Sequence, residues 1–171
     1  MKTRQLAPIA AICLLLVAML PTTGCAPQAT IAALTSTLGN AASSIASLEG
    51  NATLAAQLKT DTTAAVAAIN NWKSGTPAQN VVQALNIVIN DLNLICPSIC
   101  GPYEPLIVLA LGTVQSIIAI VDPSATPAAA KVGPNARVRL GTPAPKDAKA
   151  FVAAWNGICA SDPALAHATI Q

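Results

Sequence analysis

Five cysteines, one histidine and seven carboxylates carry nearly all the reactive chemistry that this 171-residue chain offers. The histidine, His167, stands near the C-terminal end and reads as an exposed tail residue, with no second imidazole to join it as a base or ligand. The carboxylates Glu49, Asp61, Asp91, Glu104, Asp122, Asp147 and Asp162 are far apart in sequence, so no two are expected to share a proton or hold a metal. Cys96, Cys100, Cys159 and His167 would satisfy the ligand count of a zinc site, but their spacing matches no compact zinc motif. Neither a Gly-rich phosphate loop nor an HExxH pattern occurs. In Cys100-Gly101-Pro102-Tyr103, Tyr103 stands where the resolving cysteine of a redox pair would be, and turn formation explains the Gly and Pro. The expectation is no catalytic constellation, no metal and no cofactor.

The remaining cysteines are read through the N-terminus. Lys2 and Arg4 precede an apolar run from Ile9 to Leu20, Pro21 breaks it, and Thr22-Thr23-Gly24 lead to Cys25. A basic start, a short apolar segment and a small-residue exit form a secretory signal peptide, here residues 1–24. The run is shorter than the roughly 20 apolar residues of a spanning helix. Thr22-Thr23-Gly24-Cys25 resembles the lipobox of bacterial lipoproteins, with Gly24 and Cys25 matching and Thr22 where a large aliphatic residue is usual. The resemblance covers residues 1–25 only. It implies that Cys25 carries lipid, that residues 25–28 form the attached N-terminus, and that the partner is a lipid bilayer. Cleavage by an ordinary signal peptidase, which would leave Cys25 a plain thiol near a secreted N-terminus, is the alternative.

Removing residues 1–24 leaves 147 residues, one domain's worth. It also discards Cys13 and two of the nine basic residues, so seven basic face seven acidic groups. A neutral chain gives no basic footprint for nucleic acid, and no nucleic-acid partner is expected. Three cysteines then remain. Cys96 and Cys100 flank one turn and are the candidate disulfide with the shortest loop to close; Cys159 is the alternative partner for either. All three free is the third possibility, because bridging geometry is not read from sequence.

The elements that would position these residues are helical. Apolar positions recur at three and four residues as Ile31, Leu34, Leu38, Ala41, Ile45 and Leu48, then as Ala52, Ala55, Leu58, Thr62, Val66, Ile69 and Trp72. The phase barely resets at Gly50-Asn51, which predicts one long or kinked N-terminal helix; a hairpin turning at Gly50-Asn51 is the alternative. Thr76-Pro77-Ala78-Gln79 predicts a capped start for a helix to about Ile95, with Gln83, Asn86, Asn90 and Asn93 on its polar side. Leu106 to Val121 is almost wholly apolar and reads as a buried central helix, or else as a membrane contact. Prolines 123, 127, 134, 143 and 145 mark a connector over 122–146. Helix resumes over 147–159, and a last turn starts at Asp162-Pro163. Trp72, Phe151 and Trp155 are expected to anchor a core otherwise built from small residues.

These readings predict an all-α, Ala-rich helical bundle. Its helical domain spans 29–121, and the C-terminal segment 147–171 packs on that domain. The expected role is non-catalytic: an exported, membrane-tethered protein of the cell envelope, facing periplasm or exterior, that meets an envelope protein or another copy of itself. Binding of a small apolar or lipidic ligand between the helices is the alternative, distinguished by an apolar pocket beside residues 106–121.

Overall fold

Gly50 decides the shape of the first half of the chain. The computed structural model describes residues 28–73, 76–95, 101–129 and 144–171. In it α1 (Gln28–Leu48) and α2 (Ala52–Asn71) are separate helices, which corrects the expectation of one long or kinked helix. Gly50 has φ 78°, a left-handed conformation that a Cβ disfavours. Its N–H donates to the Ser47 carbonyl (3.0 Å), and the Asn51 N–H donates to that of Ala46 (2.9 Å). This is the paired closure that ends a helix at a glycine. Asn51 also starts the next helix, because its side-chain oxygen accepts from the Leu54 N–H at 3.0 Å. Stop and start thus share two residues. Both helices bury the same kind of stripe in one core, which is why the apolar phase passes through the turn almost unbroken.

α1 and α2 then run antiparallel and form the most extensive helix contact in the molecule. Ser43 Oγ donates to the Ala55 carbonyl at 2.9 Å. At the far end Gln28 Nε2 donates to the carbonyls of Ile69 and, at 2.7 Å, of Trp72, so the start of α1 engages the last carbonyls of the α2 end, with that of Ile69 shared with the Trp72 N–H. Between them Gly39 meets Thr62, and a Cβ built on Gly39 would lie 2.2 Å from the Thr62 methyl.

α3 (Gln79–Ile95) folds back along α2 and buries Val81, Leu85, Val88, Ile89 and Leu92. It starts two residues later than a Thr76 cap predicts, with the Val82 N–H on the Ala78 carbonyl (3.0 Å). The Thr76 hydroxyl is spent on closing the preceding turn, donating to the Lys73 carbonyl at 2.6 Å. A short 3₁₀ turn, Gly101–Tyr103, leads into α4 (Glu104–Val121). Residues 101–121 are long and apolar enough to cross a membrane by length and composition. Here, however, Leu106, Ile107, Ala110, Leu111, Val114, Ile117 and Ile118 are buried in the common core.

α5 (Ala148–Ser161) is capped by Asp147, which accepts from the Ala150 N–H at 2.8 Å. Phe151, Trp155 and Cys159, one turn apart, enter the same core against α1 and α4. Asp162 caps the final 3₁₀ turn, Pro163–Ala168. Trp155 Nε1 donates to the Ala168 carbonyl (2.8 Å), and Asn156 grips the Ile170 backbone through both its amide atoms (2.8 and 3.0 Å). The protein is all-α, with no strand among the described residues.

Helix propensity alone would make Gly39→Ala stabilising by about 1 kcal/mol. The Thr62 contact reverses the sign: urea titration should show Gly39→Ala destabilised by about 1–3 kcal/mol, the range for overpacking. A gain in stability would show that α1 and α2 separate freely at this point.

Candidate functional site

The α2–α3 hairpin brings together two carboxylates thirty residues apart in sequence, Asp61 and Asp91. This corrects the expectation that no two carboxylates meet. Asp91 points inward from α3 and is only 2% exposed, while Asp61 on α2 keeps partial contact with solvent. Gln57, one turn before Asp61, donates its Nε2 to Asp91 Oδ1 at 2.8 Å. The second oxygen, Oδ2, is buried without a donor. Burial first, then the hydrogen bond and the negative charge of Asp61, push Asp91 up to about 6, partly opposed by the bond from Gln57. A proton resolves the arrangement, since a neutral Asp91 carboxyl can donate to Asp61. The signal for this pair was hairpin symmetry: Asp61 and Asp91 lie equally far from Thr76, at the turn joining their helices. Chemically, a carboxyl with affinity near pH 6 suits proton transfer. Asp91 is nevertheless enclosed, and its proton lies at the contact between α2 and α3.

A second polar cluster binds the chain to itself. Asn86 Oδ1 accepts from the Ala128 N–H (2.7 Å), Gln115 Nε2 donates to the Ala128 carbonyl (3.3 Å), and Asn93 Nδ2 donates to that of Ala129 (3.0 Å). Asn86 and Asn93 are two turns apart, and both leave the solvent face predicted for them. Gln83 and Asn90 stay exposed. The start of the connector lies along α3 and α4, held through its backbone and by Ala125 and Ala128 packed against the core.

His167 is exposed, as expected, and is anchored: its Nε2 lies 2.7 Å from the Tyr103 hydroxyl, the two rings perpendicular at 5.9 Å. Cys159 is a free thiol, 2% exposed, and burial pushes it above the ordinary thiol range. It therefore makes no bridge to Cys96 or Cys100. Those two cysteines, Cys25 with the whole of residues 1–24, and the connector from 130 to 143 lie outside the described residues. No three His, Cys, Asp or Glu side chains converge on a metal position among the described residues.

Described residues form two surface clefts. One of about 420 Å³ lies between α1 and α2, bounded by Ser36, Asn40, Lys59 and Thr63. The other, of about 360 Å³, lies at the α2–α3 turn beside Trp72, Lys73, Thr76 and Pro77. No family model matches this chain, and no curated protein or solved structure is significantly similar to it.

The raised Asp91 affinity fixes the sign of a pH dependence. Between about pH 4 and pH 6 the folded state holds a proton that the unfolded state releases, so this group's contribution to stability falls as pH rises through that window. Two units correspond to at most about 3 kcal/mol, and screening at part-exposed Asp61 lowers this to about 1–2 kcal/mol. Asp91→Asn supplies a neutral donor to Asp61 and keeps the Gln57 bond. Thermal melts should show it more stable than the parent at pH 7.5 and level with it at pH 4; parallel profiles would sink the assignment.

Proposed function

We propose that this protein is an exported lipoprotein, tethered to a membrane through acylated Cys25, with a non-catalytic structural or protein-interaction role in the cell envelope. The observation that carries the reading is the order of residues 1–25: Lys2 and Arg4, the apolar run, and Thr22-Thr23-Gly24-Cys25. Only Ala26 and Pro27 stand between Cys25 and the first described helix, so a lipid on Cys25 attaches almost directly to the folded body.

The enclosed body supports a non-catalytic role. Asp91 and Cys159, the groups with raised proton affinity, are both buried, and the polar amides are used to hold the chain's own backbone. Ligand binding between the helices calls for an apolar pocket beside α4. That helix instead packs its apolar face into the core. Residues left outside the core, among them Ile87, Leu94 and Ile120, remain available to a protein partner. With Cys159 enclosed and unbonded, Cys96 and Cys100 are the pair we assign to the disulfide.

Mass spectrometry of the mature protein should find a first residue of Cys25 carrying acyl chains, and Cys25→Ala should release the protein from membranes. A chain starting elsewhere and unmodified would leave a secreted protein. Peptide mapping without reductant should recover Cys96 joined to Cys100, with Cys159 alkylated only after denaturation. Three free thiols would remove the bridge.

A further inference from the structure

The start of α1 is tied by Gln28 to the carbonyls of Ile69 and Trp72, so the end of the bundle nearest Cys25 is the α2–α3 turn. Three residue steps separate Cys25 from Gln28, at most about 11 Å of extended chain. An acylated Cys25 sits at the boundary of the hydrocarbon, beneath a headgroup layer of about 5–8 Å. Even fully extended, the tether exceeds that layer by no more than about 3–6 Å, so it holds this pole against the headgroups.

The residues at the pole fit that position. Trp72 is partly buried against the core, and its indole Nε1 donates to the Thr76 carbonyl at 3.1 Å, which leaves a fixed aromatic edge at the surface. Lys73 beside it is exposed and is the only charged residue lining the 360 Å³ cleft. Asn71, Thr76 and Asn80 add uncharged hydrogen-bonding groups. A tryptophan with an adjacent lysine is the pairing that settles at a membrane–water interface: the ring at headgroup depth, the ammonium among phosphates. The chain's other tryptophan, Trp155, is fully enclosed and takes no part.

We propose that the α2–α3 turn is a lipid-facing pole, with Trp72 inserted at headgroup depth and Lys73 paired with lipid phosphate. The inference rests on the tether reading for its geometry, while the surface itself is read from Trp72, Lys73 and their cleft. It gives the tethered protein one orientation, with α1 to α3 standing away from the bilayer and the Gly50 turn directed outward.

The test uses the full lipidated protein in vesicles of phosphatidylcholine and phosphatidylglycerol, with bromine placed high on the acyl chains of a fraction of the lipid. Wild-type tryptophan emission should be quenched, and the quenching should fall at least about threefold in Trp72→Phe, where only enclosed Trp155 remains. In an unlipidated chain, Lys73→Glu should weaken vesicle association roughly fivefold. Mass spectrometry of the same sample separates the two claims. A lipidated, vesicle-bound protein with equal quenching in wild type and Trp72→Phe overturns the pole and leaves the tether standing. If the chain carries no lipid, Trp72 quenching on adding vesicles still supports the pole, and its absence overturns it.

Discussion

Backbone proximity between α1 and α2, set where Gly39 meets Thr62, is the constraint on which the rest of the bundle depends. The chain is 2% aromatic and rich in alanine, so individual side chains bury little area. Such a chain gains cohesion by bringing backbones close, because dispersion is lost steeply as facing atoms separate. Gly39 permits that approach at the middle of the pair; Ser43 and Gln28 reinforce it on either side. Once the two helices are fixed, their shared face offers Leu34, Leu38, Ile45, Leu58 and Ile69 as a platform. α3 packs on this platform from the α2 side and α5 from the α1 side. The larger rings, Phe151 and Trp155, fill space that small residues leave open. The closeness has a cost at Thr62, whose hydroxyl is buried without a partner.

The polar residues inside the bundle follow one pattern: they meet backbone far more often than other side chains. Ser43 serves the Ala55 carbonyl, Trp155 and Asn156 fasten the C-terminal tail, and Asn86, Asn93 and Gln115 fasten the connector. Segments such as Ala125–Ala129 have little apolar bulk with which to hold themselves down. Amides with both donor and acceptor atoms supply what burial does not, satisfying main-chain groups that would otherwise lie unpaired against the core. Asp91 departs from this pattern, since its partners are side chains and one of them carries the same charge. Its stability depends on a proton where the other contacts depend only on geometry.

Helical class, the burial of α4 and the helix starts at Asp147 and Asp162 were legible because each depends on residues within a turn or two. The hairpin was not, although Gly50 and Asn51 were visible. A turn that ends one helix and caps the next within two residues leaves the apolar period intact, and periodicity reports burial rather than direction. The Asp61–Asp91 pair was missed separately: its signal lies in the register of the α2–α3 hairpin about Thr76, and helical periodicity along each segment does not report how two helices pair. Asn86 and Asn93 were misjudged for a different reason. Polarity placed them outside, whereas a neighbouring strip of backbone made the inside equally satisfactory. Cys159 lies one turn beyond Trp155, and helical spacing alone places it in the core, where burial rather than pairing governs its thiol.

The two ends of the bundle are chemically unlike, and that difference gives the fold a direction. One end gathers Gln28, Trp72, Lys73 and Thr76, a mixture of aromatic, cationic and neutral polar groups close behind Cys25. At the other, the Gly50 turn joins α1 to α2, carrying exposed Glu49 and Asn51. In the proposed tethered state, an interaction surface would have to face away from the bilayer or along its flank to be reached. The exposed apolar residues Ile87 and Leu94 would satisfy this, being two turns apart on the outer side of α3 and therefore in one line along the bundle. The same helix directs Asp91 inward between them in sequence, so a partner bound along that line would rest on the element whose attachment to α2 varies with a single proton.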